Sequence, residues 1–290
     1  MTILTRRQAL LGALSVAGIS LTGCNSEKVY LPPNAGKLLG ISFGASDAMT
    51  LASQRLLLDN DSMARELPEN MISENFPAIG TTDPGEENRD YRADQNNGFP
   101  KWRLSVSGLV ERPLVLSLAD IRSMPFHSQI TLQSCERGWS AIAKWTGVRL
   151  AHVLDLARLK PNARWIMFQA IDGWWDCLDL FDAVHPQTIL AYGMNDGALP
   201  VPNGAPVRLR VERALGWKSM KYINAITVLD SVEKMPEGKA SMGIPVGFPW
   251  YGASRSRRDG KKSERHNKSF ATSDSSIGFC DYSGIACVSC

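Results

Sequence analysis

Gln133-Ser134-Cys135-Glu136-Arg137-Gly138-Trp139-Ser140 is the stretch on which the reading of this chain turns. The apolar, strand-like run Ile130-Thr131-Leu132 leads into it and Gly138 opens a loop. Cys135 is therefore expected at the end of a strand, with its sulfur projecting from a fixed sheet edge into a cleft. One thiolate so placed can hold a soft metal, and a lone cysteine can equally be a small buried hydrophobe. The residues on either side bear on that choice.

Working outward, strands dominate. Trp102 to Val110 alternates apolar and polar residues as a strand does, and Leu114 to Ile121 passes from a strand into a short helix capped near Ser117. Val148 to Leu159 carries Leu150, Val153, Leu154 and Leu156-Ala157 at helical spacing. Trp165 to Ala170 and Val207 to Val211 read as strands again, the second alternating Val, Leu and Val with Arg208 and Arg210. The fold class that follows is α+β, mixed and strand-rich, with loops converging on one cleft. Asn34 to Asn97 is polar and weakly patterned, and it is expected to wrap that domain as loops and short helices.

Downstream of Cys135 come Trp145-Thr146-Gly147-Val148, Ala170-Ile171-Asp172-Gly173-Trp174-Trp175 and Ile189-Leu190-Ala191-Tyr192-Gly193-Met194-Asn195. Pro202-Asn203-Gly204-Ala205-Pro206-Val207-Arg208-Leu209-Arg210-Val211 and Leu215-Gly216-Trp217-Lys218-Ser219-Met220-Lys221-Tyr222 complete the series. In order and spacing, from about Trp102 to Asp230, these resemble the molybdopterin domain of the sulfite oxidase superfamily, and most closely its exported bacterial branch that includes periplasmic methionine sulfoxide reductase catalytic subunits. The resemblance implies a Mo-molybdopterin cofactor. Its dithiolene leaves the protein one ligand to supply, and a thiolate suits a thiophilic, high-valent metal. Cys135 takes that place by resemblance, and Asn203, Arg208, Ser219, Met220 and Lys221 take the places of cofactor-binding residues.

The chemistry of those residues agrees with the roles. A phosphate needs positive charge and fixed donors, which Arg208, Lys218, Lys221 and the backbone of the Gly216 loop offer. A carboxamide such as that of Asn203 can both donate to and accept from a pterin edge. Arg137, two residues from Cys135, is the substrate-side candidate; a salt bridge is its structural reading. His185, just before Pro186, reads as a hydrogen-bonded structural residue rather than a base. Relatives place an aromatic residue at the substrate pocket where this chain has Asp172-Gly173-Trp174-Trp175, which favours a bulky, weakly charged small molecule such as a sulfoxide. The implied reaction is two-electron oxygen-atom transfer, with sulfite oxidation and a metal-free lipid-anchored binding module as the alternatives. No haem-attachment motif and no room for a dimerisation domain are read, so electrons are expected from a separate membrane b-type cytochrome.

The N-terminus suggests where this chemistry takes place. Arg6 and Arg7 precede an apolar stretch from Ala9 to Thr22, whose 14 residues fall short of the ~20 a spanning helix needs and suit an export signal. Paired arginines imply twin-arginine export of a folded protein already loaded by the molybdopterin delivery machinery, and hence a periplasmic location. Leu21-Thr22-Gly23-Cys24 resembles a lipobox, with Cys24 as the lipid anchor. Residues 1–24 are thus expected as signal, 25–97 as a wrapping segment, 98–252 as the cofactor domain and 253–290 as a disordered tail.

The whole chain carries a net charge of +3, of which Arg6 and Arg7 account for two units and the segment after Tyr251 for three. The core is consequently slightly acidic, which gives no basis for a nucleic-acid partner. Six cysteines suggest no disulfide framework: Cys177 lies in an apolar run and Cys280, Cys287 and Cys290 crowd the terminus.

Overall fold

A computed structural model describes residues 62–244. The export signal, Cys24, the stretch up to residue 61 and the expected tail lie outside the described residues.

Two five-stranded sheets face one another across a shared core. The first runs in the order β2 (Leu114–Ser117), β1 (Arg103–Gly108), β10 (Ile223–Leu229), β5 (Trp165–Ala170) and β6 (Trp175–Asp179). Only β1 and β10 are parallel in it. The second joins β3 (Phe126–Ser134), β4 (Ser140–Arg149), β7 (Ile189–Met194) and β8 (Gly197–Ala198), with β9 (Arg208–Arg210) also paired to β7, all antiparallel. The mixed, strand-rich α+β expectation holds.

Alternation explains the inner faces. Leu104 and Val106 of β1 point inward beside Ile166 and Phe168 of β5 and Ile226 and Val228 of β10, and meet Val148, Leu190 and Leu209 from the other sheet. Short helices close the edges. Helix α1 (Arg89–Gln95) buries Tyr91, and α2 (Leu118–Ser123) starts at a capping box in which Ser117 Oγ accepts from the Asp120 N–H while Asp120 accepts from the Ser117 N–H. Helix α3 (Leu150–Ala157) buries Leu150, Val153, Leu154 and Ala157, and α4 (Leu180–Ala183) follows β6.

The expected helix start at Val148 is corrected to Leu150. Val148 and Arg149 continue β4, because their partners Leu190 and Ile189 in β7 hold them in the ladder. Gly147 precedes them where the β4–β7 register shifts, and a β-carbon there would overlap the Leu190 carbonyl.

Residues 62–76 touch the second sheet at several points. Leu67 N–H bonds the Ile130 carbonyl, Ser73 N–H bonds the Ile142 carbonyl, and Phe76 sets its ring edge-on against Trp139 and Trp145 at 5.8 and 5.2 Å. Residues 62–88 contain 3-10 turns at Glu69–Met71 and Pro84–Glu86 and an isolated bridge from Glu66 to Thr131.

Candidate active site

Cys135 stands one residue past the end of β3, and the loop it opens closes on itself. Its N–H bonds the Trp139 carbonyl at 2.9 Å, and the Gly138 N–H bonds the Cys135 carbonyl at 3.0 Å. The cysteine is buried and, among the described residues, forms no disulfide. Burial pushes its thiol above the ordinary value; the Arg137 backbone N–H opposes this and the Glu136 carboxylate reinforces it. A neutral thiol in such a place is inert until a cation supplies the charge that holds the thiolate. The Arg137 side chain is exposed and forms no ion pair with a described residue, so the salt-bridge reading does not hold there.

The 3-10 turn Gly216–Lys218 packs against this loop. A β-carbon on Gly216 would lie 3.5 Å from the Cys135 Cα and 3.3 Å from Gln133 Nε2, an approach that glycine allows with most room. Immediately after the turn, the Ser219 carbonyl accepts Arg208 Nη2 at 2.7 Å, and Ser219 Oγ accepts the Val211 N–H at 3.2 Å. The Asn203 carbonyl accepts Arg208 Nη1 at 2.8 Å. Cys135, the Gly216 turn, Ser219, Arg208 and Asn203 are therefore contiguous, although more than sixty residues separate the first from the rest.

Arg208 is 4% exposed and its guanidinium lies 5.0 Å from the centre of the Trp145 ring. Two backbone carbonyls hold two of its nitrogens, while Nε is buried without a partner among the described residues. Burial and then the neighbouring Arg210 depress it to about 9. Lys221 is depressed to about 8, first by burial and then by Arg208, and its ammonium is held by the carbonyls of Thr81 and Pro202. Asn203, 8% exposed, keeps its side-chain Nδ2 buried without a partner among the described residues. Gly204, at φ 112°, lets the chain turn there: a β-carbon would stand 2.9 Å from the Lys221 Cβ. Met220 is the exception in the set. Its side chain belongs to the main core and its carbonyl accepts the Leu209 N–H at 2.7 Å.

Three details differ from the sequence reading. Lys218 gives its charge to Asp176 at 2.6 Å inside the protein, so it does not supply the anion site. The N–H groups of Lys218 and Ser219 close the turn onto Leu215 and Gly216, and so are not available to an anion. Arg208 and Arg210 both point into the protein, since the whole Val207–Val211 stretch is buried. As read, His185 is a buried structural residue, its Nδ1 accepting the Gln187 N–H at 3.3 Å.

Sequence reasoning missed the neighbours of these residues. Arg210, 4.3 Å from the Trp145 ring centre, is paired with Glu212 through Nε at 3.1 Å and Nη2 at 2.8 Å and also donates to Gln133 Oε1. Gln129 Nε2 binds the same carboxylate at 2.9 Å. Thr81 accepts from both Lys221 and the Tyr222 hydroxyl. The acceptor is the Thr81 backbone carbonyl, so the residue type carries no such signal.

A family model described as "Oxidoreductase molybdopterin binding domain" matches residues 92–236. This chain belongs to that family of molybdopterin-binding oxidoreductases, and it is an enzyme. It is 32% identical over 86% of its length to the "Putative protein-methionine-sulfoxide reductase subunit YedZ1" of Azospira oryzae, covering 88% of that protein. Proteins named "Protein-methionine-sulfoxide reductase catalytic subunit MsrP" match at 27% identity in Campylobacter jejuni, over 77% of this chain and 78% of that one, and at 34% in Xanthomonas campestris, over 56% and 53%.

The residues present fit a molybdopterin. A buried guanidinium that has an unpartnered Nε and no ion pair among the described residues, beside an amine depressed by burial and then by that guanidinium, is a site short of one anion. The unpartnered Asn203 amide adds a donor for a polar ring edge.

Proposed function

We propose that this chain is an exported molybdenum-molybdopterin oxidoreductase that reduces a sulfoxide, with Cys135 as the protein ligand to molybdenum. The observation that carries the reading is the uncompensated Arg208 guanidinium, next to Asn203 and joined to Cys135 by the Gly216 turn. Arg208 and Lys221 would hold the cofactor's phosphate, Asn203 would bond its polar ring, and Ser219 and Met220 would hold the Arg208 strand in place through their carbonyls. When bound, the cofactor supplies two-electron oxygen-atom transfer.

The chain's own residues do the rest. Arg137, exposed two residues from Cys135, donates to the sulfoxide oxygen and orients it; burial of Cys135 limits water at its sulfur. Reduction takes two electrons and two protons, and gives the thioether and water. The names of the relatives favour methionine sulfoxide as the substrate, and the printed word "subunit" favours a separate electron partner. We assign that role to a membrane b-type cytochrome. The paired Arg6-Arg7 and Leu21-Thr22-Gly23-Cys24 support twin-arginine export to the periplasm after cofactor loading, with lipid anchoring at Cys24. No helix among the described residues is long and apolar enough to cross a membrane.

The test is metal analysis and turnover of protein made in a molybdopterin-competent host, assayed with a chemical reductant and methionine sulfoxide and, separately, with sulfite and an electron acceptor. Stoichiometric molybdenum with turnover on the sulfoxide is expected. Turnover on sulfite alone, or protein that never holds molybdenum, overturns the proposal.

A further inference from the structure

Asp176 and Lys218 form a dry ion pair outside the donor set assigned above. Asp176 is 2% exposed and Lys218 3%, with Lys218 Nζ at 2.6 Å from Asp176 Oδ1 and 3.0 Å from the Cys177 carbonyl. The Cys177 N–H and Ser241 Oγ also donate to the carboxylate, at 2.7 and 3.0 Å. Such a pair is weak evidence for stability, because desolvation offsets most of the Coulombic gain and apolar replacements are often neutral or better. What it does is hold chain segments together.

Lys218 ends the Gly216–Lys218 turn, and that turn touches both halves of the candidate site. Gly216 abuts Cys135, and the carbonyl of Ser219 receives Arg208. Asp176 lies on β6, in the sheet that contains neither β3 nor β9. Ser241 pairs with Asp176 as an isolated bridge, and the Met242 N–H bonds the Trp175 carbonyl at 3.2 Å, so the segment after β10 covers the pair.

We propose that Asp176 and Lys218 are a positioning clamp that fixes the Gly216–Ser219 turn against Cys135 and Arg208, with Ser241 closing its outer side. The clamp rests on the assignment of Cys135 and Arg208 to the cofactor. It acts on bound metal through the placement of the turn and touches no reacting atom.

The double variant Asp176→Leu with Lys218→Met removes both charges and the tether while filling the space with apolar groups. Its melting temperature should stay within a few degrees of the parent, whereas either single change, which strands one buried charge, should lower it clearly. Molybdenum per chain in the double variant should nevertheless fall by roughly tenfold, as for loss of residues that support a metal site. The paramagnetic resonance line of the remaining metal should also differ from the parent's. If the double variant matches the parent in occupancy and line shape, the clamp is refuted while the functional assignment stands. Parent protein devoid of molybdenum would instead remove the functional assignment on which the clamp rests. Should the double variant fail to accumulate, Ser241→Ala decides the matter, since it keeps both charges and removes the Ser241 donor to Asp176 together with the acceptor of the Gly243 N–H in the covering segment. An altered line shape at unchanged melting temperature supports the clamp, and a parental spectrum refutes it.

Discussion

Arg208 and Arg210 sit two residues apart on the same three-residue strand, both buried and both beside the Trp145 ring, yet they are in opposite electrostatic situations. Arg210 is matched. Glu212 takes two of its nitrogens and Gln133 a third, and Gln129 binds the same carboxylate. Among the described residues Arg208 has two backbone carbonyls, an unpartnered Nε and no carboxylate of its own, and burial with Arg210 beside it depresses it to about 9. A buried charge that the fold leaves uncompensated points to something outside the chain that compensates it. On that ground we propose the first arginine for the cofactor and leave the second to the fold.

The sharpest way to break this contrast is to strand the matched arginine. Glu212→Gln leaves the Arg210 charge buried without its partner and should cost about 3–5 kcal/mol in denaturant unfolding; a loss below about 1 kcal/mol would mean that Arg210 is as uncompensated as Arg208. Arg208→Met should do the reverse. Apoprotein stability should hold or rise, because an unpaired charge is gone, while molybdenum per chain drops several-fold and turnover drops in proportion to it. Equal loss of stability in the two variants would erase the distinction.

A smaller effect appears in pH. The Lys221 amine, held at about 8 against an ordinary 10.5, binds fewer protons in the folded apoprotein than in the unfolded chain between those two values. The apoprotein should accordingly gain stability as pH rises through that window, and Lys221→Met should flatten the gain. Conversely, cofactor retention should weaken as pH rises past about 8, since the ammonium is the form that holds an anion. An identical stability slope in Lys221→Met would show that the amine titrates normally. Smallest of all is Ser219→Ala, which removes the acceptor of the Val211 N–H but keeps the carbonyl that holds Arg208. It should cost about 1 kcal/mol and leave metal content unchanged.

How far the sequence could be read follows from the range of the signals. Strands β1 and β5 and the Ser117 cap were legible because alternation, apolar runs and capping are local: Leu104 and Val106 are neighbours on one face of β1, Trp165 to Phe168 are consecutive, and Ser117 caps onto Asp120 one turn on. The boundary at Leu150 was not, since only the distant partners Ile189 and Leu190 keep Val148 and Arg149 in a strand. In the site, residue types and order pointed to Cys135, Asn203, Arg208 and Lys221. Which of these cations is taken up by the fold depended in part on partners far along the chain. Asp176 takes Lys218 across 42 positions, and the Glu212 carboxylate that matches Arg210 is itself held by Gln129 across 83.

The central claim is that Cys135 is the one protein ligand to molybdenum, and X-ray absorption at the molybdenum edge tests it most directly. Parent protein should show a sulfur shell larger by one scatterer than Cys135→Ala protein measured per bound metal, with turnover abolished in the variant. The pterin and phosphate contacts at Asn203, Arg208 and Lys221 should leave it enough metal to measure. An unchanged sulfur shell in Cys135→Ala, with parental turnover per molybdenum, would contradict the account.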